Sequence, residues 1–240
     1  MIPIFISDLH LEDARPDISE LFFKFLKNNT KSGRTLYILG DFFEAWIGDD
    51  DFSPFNQSVI DALYHATSQG LPIYIMHGNR DFLLGKKFLR ATGCKLLPDE
   101  YVVEINGTPT LLMHGDTLCT EDKKYLKFRK KARNWFFQKL FLFKSLKSRQ
   151  AIAAAYREAS KKYTSTAPQH IMDVSQSEVE RVMRKHQVQH LIHGHTHREA
   201  VHCFELDGKP ATRTVLGPWH ERGSALVCEE NGGQKLISIE

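Results

Sequence analysis

Short apolar runs that stop abruptly at ionisable residues set the rhythm of the first hundred positions. PIFIS (3–7), TLYILG (35–40) and PIYIM (72–76) predict buried strands, each followed at once by polar residues. Between them lie helical stripes: apolar residues at 18, 21, 22, 25 and 26 recur with the helical period, and 54–66 predicts a second helix. A short helix over 85–90 stops before Gly93. Beyond Pro98 the pattern becomes a hairpin, YVVEI and PTLLMH, with Asn106 and Gly107 supplying the turn. From HLIHG through AVHCFEL, RTVLG, SALVCEE and QKLISIE, strand follows strand with Gly-containing turns. Helices mixed with strands early, and strands alone late, predict an α/β fold of two sheets face to face with helices outside. No repeat or low-complexity linker divides the chain. Its 240 residues suffice for one sizeable core, so a single domain over 1–240 is expected.

One segment departs from this rhythm. Between Lys123 and Arg149 there are eleven Lys or Arg and no Asp or Glu, leaving 21 basic and 29 acidic residues elsewhere, a net of −8 under an overall +3. The apolar residues 135, 136, 137, 140, 141, 142 and 143 within it point all round a helical wheel. Such a helix is either packed on several sides, as in a helix hairpin completed by AIAAAYREAS, or meets lipid. Basic residues around an apolar body suit anionic headgroups and acyl chains. The uninterrupted FFQKLFLF fits acyl chains better than bases, so no nucleic-acid partner is expected. MIPIFISDLH shows no basic n-region and its apolar run stops at Asp8, so no secretory signal is expected, and no run approaches the roughly 18 apolar residues of a membrane span. Four scattered cysteines, Cys94, Cys119, Cys203 and Cys228, suit free thiols in a reducing cytoplasm.

Chemistry concentrates where strands end. Asp8 and His10 follow the first strand, Asp41 the second and Asn79 the third, while His114 closes the hairpin and His195 with His197 follow the late strand LIH. Taken singly, such an Asp is often a helix cap and such a His a hydrogen-bonded core residue. Repeated at five strand ends, with Gly40, Gly78, Gly115 and Gly194 alongside, the arrangement points to convergence in the crevice beyond the strand C-termini. Carboxylate oxygens and imidazole nitrogens are what two neighbouring divalent cations require, and Asp41 is the candidate bridge. No cysteine sits at zinc-ligand spacing. His77 and His193, beside the ligand loops, are candidates to orient ligands from behind.

The ordered series D-x-H, G-D-x-x-E, G-N-R-D, H-G-D and G-H-T-H resembles the calcineurin-like metallophosphoesterases over about 190 positions. YILGDFFEAWIGDD, HGNRDFLLGKKF, MHGDTLCTED and LIHGHTHR are more closely similar to the UDP-2,3-diacylglucosamine pyrophosphohydrolase family of lipid A synthesis. That resemblance implies a four-layer αββα sandwich with a helical lid inserted over approximately 121–167. It implies two Mn²⁺, one held by Asp8, His10, Asp41 and His197, the other by Asp41, Asn79, His114 and His195. A metal-bound water would attack the α-phosphorus, giving UMP and 2,3-diacylglucosamine 1-phosphate. Substrate contacts are implied at Asn79, Arg80, Asp122, Arg157, Ser160, Thr164 and His195. An acylated UDP-sugar substrate and peripheral association with the cytoplasmic face of the inner membrane follow from the same resemblance. Arg80 stands where many relatives carry a histidine: it cannot act as a general acid near neutral pH but can stabilise a phosphate. Thr164 and Ala167 depart from the Asn or Lys of enterobacterial relatives. The residues themselves leave open a dinuclear phosphodiesterase acting on a soluble nucleotide or nucleic acid, or a scaffold without activity.

Overall fold

The computed structural model describes residues 2–30, 33–166, 168–229 and 233–240. The side chains of Thr164, Gln169 and His170, and all of Ala167, lie outside the described residues, and with them the expectations at Thr164 and Ala167.

The predicted strands form two mixed sheets. The first contains β1 (Ile2–Ile6), β2 (Arg34–Ile38), β3 (Ile73–Met76), β4 (Lys95–Leu97), β10 (Gly223–Cys228) and β11 (Gln234–Ile239), in the order β11-β10-β1-β2-β3-β4. β1 to β4 are parallel, and β10 joins β1 antiparallel. The second runs β5-β6-β7-β9-β8, from β5 (Glu100–Ile105), β6 (Thr108–Met113), β7 (His190–His193), β8 (Ala200–Leu206) and β9 (Lys209–Val215). Within it β6, β7 and β9 are parallel.

Three apolar clusters make four layers from these sheets. Phe5, Tyr37, Met76, Leu112, Ile192 and Leu226 fill the space between the sheets. The outer face of the first sheet packs on α1 (Pro16–Asn29), α2 (Pro54–Ser68) and α3 (Lys86–Thr92) through Phe22, Phe25, Val59, Leu63 and Phe88. Val179, Val182 and Met183 of α7 (Gln176–His186) cover the second sheet's outer face. The expected αββα sandwich is therefore the observed architecture.

Two elements lie outside the sequence expectations. β4 is only three residues and carries no period-2 run long enough to read. α7 has its apolar residues at helical spacing but stands beside the strand-rich tail. The inserted segment also differs from a helix hairpin: it is three helices, α4 (Lys123–Ala132), α5 (Trp135–Leu142) and α6 (Leu146–Thr166). α5 is not packed on several sides, since Trp135 is 64% and Phe136 52% exposed.

The eleven cations of this insert divide by type. All eight lysines are exposed, while Arg129, Arg133 and Arg149 are buried or half-buried. Arg129 donates to Asp116 and Asp99, each at 2.7 Å, and Arg133 reaches the Gly78 carbonyl at 2.9 Å. Arg149 donates to the Ile47 carbonyl at 2.7 Å and pairs with Asp50. A planar fork of donors suits docking against fixed acceptors, whereas ammonium groups stay hydrated.

Candidate metal centre

Parallel pairing of β1, β2 and β3 brings their C-terminal ends to one edge of the first sheet, and β6 with β7 does the same in the second. Backbone bonds then stitch the loops together: Asp8 N–H donates to Gly40 O at 3.1 Å, His10 N–H to Asp41 O at 3.0 Å, and Gly194 N–H to His114 O at 2.9 Å. The turns are sharp. Asp8, His10, Asp41, His195 and His197 all hold positive φ, between 48° and 69°. Asp and His tolerate this left-handed region better than most residues, yet each such position costs on the order of 1–3 kcal/mol. Two glycines allow the close approach. A Cβ on Gly78 would collide with the Asp41 backbone and carboxylate, and one on Gly194 with Ser7 and Asp8.

All seven expected side chains are placed at this edge, six of them in two candidate metal-binding clusters: Asp8, His10 and His197 in one, Asp41, His114 and His195 in the other. In the first, His10 Nε2 and His197 Nε2 are 3.3 Å apart, and Asp8 Oδ1 lies 3.3 Å from His197 and 4.0 Å from His10. In the second, His114 Nε2 is 3.8 Å from Asp41 Oδ1 and 3.0 Å from Asn79 Oδ1. Asp41 faces both, because its other oxygen, Oδ2, is 3.9 Å from His10 Nε2.

These residues fit two divalent cations. Donors about 2.1 Å from one ion stand roughly 3 to 4.2 Å from each other, which covers every separation above. Asp8 Oδ1 is fully buried and faces only the His197 ring at 3.3 Å and the His10 ring at 4.0 Å, an arrangement costly for a carboxylate unless a cation meets it. The tautomer of His114 is set as well: Nδ1 faces the Leu39 carbonyl at 2.8 Å, which leaves the Nε2 lone pair facing the cluster.

Ionisation follows the same surplus of negative charge. Burial acts to raise the Asp8 carboxyl, but the His197 bond and the His197, His114 and His10 rings hold it well below the usual range. Burial acts against charge on His10 and His114. Glu44 and Asp41 outweigh it at His10, and Asp41 with Asp8 outweighs it at His114, so both lie above the ordinary imidazole value. His195 goes the other way, lowered to about 4 by burial and then by His114. Two of the imidazoles must therefore shed protons to ligate. Metal binding is expected to release protons, and apparent affinity to fall as pH drops through the raised range in which His10 and His114 take up protons. Calorimetric titration with Mn²⁺ in two buffers of different ionisation enthalpy measures this. Identical heats in both would contradict the assignment of His10 and His114.

Several residues that organise the site carry no signal in the spacing of ligands. Glu44, the last residue of G-D-x-x-E, contacts His10 Nδ1 at 3.0 Å, Arg80 Nη1 at 2.7 Å and Arg157 Nε at 3.0 Å. Asp81, fully buried, accepts from Gly78 N and Phe42 N at 2.7 Å, tying the second and third loops together. Burial, then the charge of Asp41, pushes its carboxyl up to about 6. Asp116 holds Tyr125 and Arg129 of α4, and His220 stacks edge-on against His197. His77 and His193 act differently from expectation. Their rings bond the carbonyls of Leu84 and Gly194, each at 2.8 Å, so they brace backbone and touch no ligand side chain.

The expected substrate contacts are placed unevenly. Arg80 projects beside Asp41, its Nε 3.9 Å from Oδ2. Arg157 on α6 reaches Glu44 and also Glu12 Oε2 at 3.1 Å, so the insert borders the first cluster. Ser160 is exposed one turn beyond Arg157. Asp122 caps α4, accepting from Tyr125 N at 2.9 Å and from the Tyr163 hydroxyl at 3.3 Å.

The chain is similar to known proteins over almost its whole length. The calcineurin-like phosphoesterase family profile matches residues 3–199. A UDP-2,3-diacylglucosamine hydrolase of Enterobacter sp. (strain 638) is 49% identical, covering 100% of this chain and 99% of its own. Proteins of the same description from Pseudomonas aeruginosa and Photobacterium profundum are 49% and 47% identical, covering 97% of this chain and 97% and 95% of theirs. Among solved structures, an archaeal phosphodiesterase aligns over 100% of both chains with a TM-score of 0.51 at 15% identity, a likeness of fold.

Proposed function

From the premise that this chain belongs to the calcineurin-like phosphoesterase family, we propose that it hydrolyses the pyrophosphate bond of UDP-2,3-diacylglucosamine, giving UMP and 2,3-diacylglucosamine 1-phosphate. The observation that carries this reading is the Arg157–Glu44–His10 contact. It places an apolar, basic insert directly beside paired cation clusters. A substrate with a diphosphate at one end and acyl chains at the other suits that junction.

The residues take the following parts. Asp8, His10, Asp41 and His197 hold one cation, and Asp41, Asn79, His114 and His195 the other. Nitrogen and oxygen donors without thiolate suit Mn²⁺. When bound, the pair of cations supplies Lewis acidity toward the phosphoryl oxygens and activates the attacking water. Arg80, anchored by Glu44, presents its remaining donors to the α-phosphoryl oxygens, where charge grows during displacement. Glu44 fixes His10 and both arginines, so the phosphate clamp and the cation ligands move together. The leaving group is a phosphate monoester, which departs without needing a protonated side chain, and a permanently charged arginine in place of a histidine is adequate there.

The insert acts as the lid. Arg157 joins it to the core with Asp122 and Ser160 on the same insert, and the exposed Trp135, Phe136, Phe137, Leu140 and Phe143 offer surface to acyl chains. No described helix is long and apolar enough to cross a membrane. The eight outward lysines instead set the protein on the anionic cytoplasmic face of the inner membrane.

Incubating the purified protein with UDP-2,3-diacylglucosamine and Mn²⁺ is expected to release UMP, and no release would end this reading. In the same assay, replacing Phe141 and Phe143 together by Ser is expected to weaken use of the acylated substrate roughly ten- to hundredfold, the worth of one or two buried aromatic side chains. Hydrolysis of a small chromogenic diester is expected to persist. Equal losses on both substrates would make the lid a packing element alone.

A further inference from the structure

Arg213 on β9 is a buried cation that makes no contact ion pair among the described residues, the carboxylate of Asp173 acting on it only from farther off. It is 7% exposed, and its Nε has no hydrogen-bond partner. Its one recorded bond runs from Nη1 to Nε2 of His193 at 3.1 Å, and among the described residues no carboxylate pairs with it. A guanidinium taken out of water costs several kcal/mol unless an anion compensates it. Strand alternation puts Arg213 on the same face as Ala211, which packs under α7, so it points away from the sheet-to-sheet core.

A cavity of about 170 Å³ opens beside it, lined also by Thr196, Arg198, His202, Asp173 and Glu199. The two acidic groups are already engaged. Glu199 accepts from the Ser224 hydroxyl, and Asp173 pairs with Arg198 and accepts from Val174 N at 2.8 Å. The Arg198–Asp173 pair is half exposed and therefore weak, so Arg198 can turn to a stronger anion. His202 lies directly across the ladder from Arg213. What the cavity offers a ligand is thus the free Nε–H of Arg213, the Arg198 guanidinium, the Thr196 hydroxyl and an imidazole.

We propose that this cavity is an oxyanion site that takes one phosphate group, with Arg213 as its anchor. At about 30 Å³ per water it holds roughly five or six waters, room for a tetrahedral oxyanion. It is below the roughly 300 Å³ at which pockets begin to enclose whole small-molecule ligands, so a nucleoside stays outside. The occupant is free inorganic phosphate or the phosphate of a monoester whose remainder projects into solvent.

The site connects to the cation centre through bonds already present. His193 accepts from Arg213 at Nε2, which makes Nδ1 the protonated nitrogen facing the Gly194 carbonyl at 2.8 Å. Gly194 begins the turn that carries His195 and His197. An anion that holds Arg213 therefore also holds the loop bearing two of the candidate ligands.

Thermal unfolding of the full chain at fixed Mn²⁺, with inorganic phosphate titrated against potassium chloride of equal ionic strength, tests the site. Wild type is expected to gain Tm saturably. In Arg213→Met the midpoint of that gain is expected to move roughly ten- to hundredfold higher, the loss of a charge-assisted bond. Without phosphate, Arg213→Met is expected to be at least as stable as wild type, since it removes an unpaired buried charge. Should Arg213→Met fail to fold, Arg198→Ala, on an exposed side chain, is expected to weaken phosphate in the same direction. UMP as a second probe separates the two sources: a UMP gain whose midpoint Arg213→Met also moves identifies a monoester, and a gain that Arg213→Met changes for phosphate but not for UMP identifies the free ion. The proposal is overturned if phosphate does not stabilise wild type beyond chloride. It is equally overturned if phosphate stabilises wild type and both variants alike, because the anion would then sit at the cation centre.

Discussion

Asp41→Ala is expected to lower kcat/KM by roughly a thousandfold or more, about 4 kcal/mol of transition-state stabilisation. Among the described residues, Asp41 is the one whose two carboxylate oxygens face separate clusters. Its Oδ2 lies 3.9 Å from His10 Nε2 and its Oδ1 3.8 Å from His114 Nε2, so one substitution removes a donor from each. Oδ1 also accepts from the Arg80 backbone N–H at 2.9 Å, and losing it frees the residue proposed to clamp phosphate. His10→Ala, by contrast, takes one donor from one cluster, and the retained metal distinguishes the two variants. Bound manganese per chain, measured after dialysis, is expected to fall toward zero for Asp41→Ala and toward one for His10→Ala. Both variants are expected to keep the near-ultraviolet circular dichroism of wild type, because the ligands sit in loops beyond the strands. Near-normal turnover by Asp41→Ala with Mn²⁺ would remove Asp41 from the bridge.

Asp81→Ala is expected to act through the scaffold, with a loss of about 2–5 kcal/mol in unfolding free energy. Three backbone N–H groups, of Gly78, Phe42 and Phe43, converge on its carboxylate at 2.7, 2.7 and 3.4 Å. Removing the acceptor leaves buried donors unpaired, at about 1–3 kcal/mol for each good bond. The loops so loosened carry Asp41 and Asn79, so metal affinity should fall with stability. Denaturant unfolding with and without Mn²⁺ separates the two effects. Asp81→Asn, which keeps one acceptor oxygen in the same shape, is expected to fall between wild type and Asp81→Ala. If Asp81→Ala unfolded at the wild-type midpoint, the carboxylate would not be what joins the two loops.

These two aspartates show how unevenly the site was legible. Asp41 announces itself because it repeats a coincidence, a donor at a strand end, which five segments share, four of them with a glycine alongside. Asp81 lies two residues beyond Asn79 and belongs to no such series. Its role depends on Phe42 and Phe43 lying opposite, 38 or 39 positions earlier in the chain. Glu44 is similar. Its sequence position says that it follows Asp41, and only the fold brings Arg157, 113 positions later, onto the same carboxylate.

The insert separates the two kinds of information further. Its charge excess and its apolar ring are properties of composition, and both are plain from residues 123–149. That the arginines dock while the lysines face solvent is not. It depends on Asp99, Asp116, Asp50 and two backbone carbonyls being at fixed positions when the helices arrive. The helical wheel predicted burial or lipid, and the exposed Trp135 and Phe136 leave the apolar side of α5 turned outward.

Strand periods, helical stripes, the Asn106–Gly107 turn and the order of the seven donors are all local, set by side-chain alternation and the torsional preferences of neighbouring residues, so the chain alone determined them. The left-handed turns at Asp8, His10, Asp41, His195 and His197 were decided only on folding. Those torsions are unfavourable for an isolated residue and persist because parallel strands, crossing backbone bonds and the clearance at Gly78 and Gly194 hold them. The unpaired Arg213 belongs to the same category: an arginine in a strand is ordinary, and its burial without a contact ion pair exists only once the second sheet is covered.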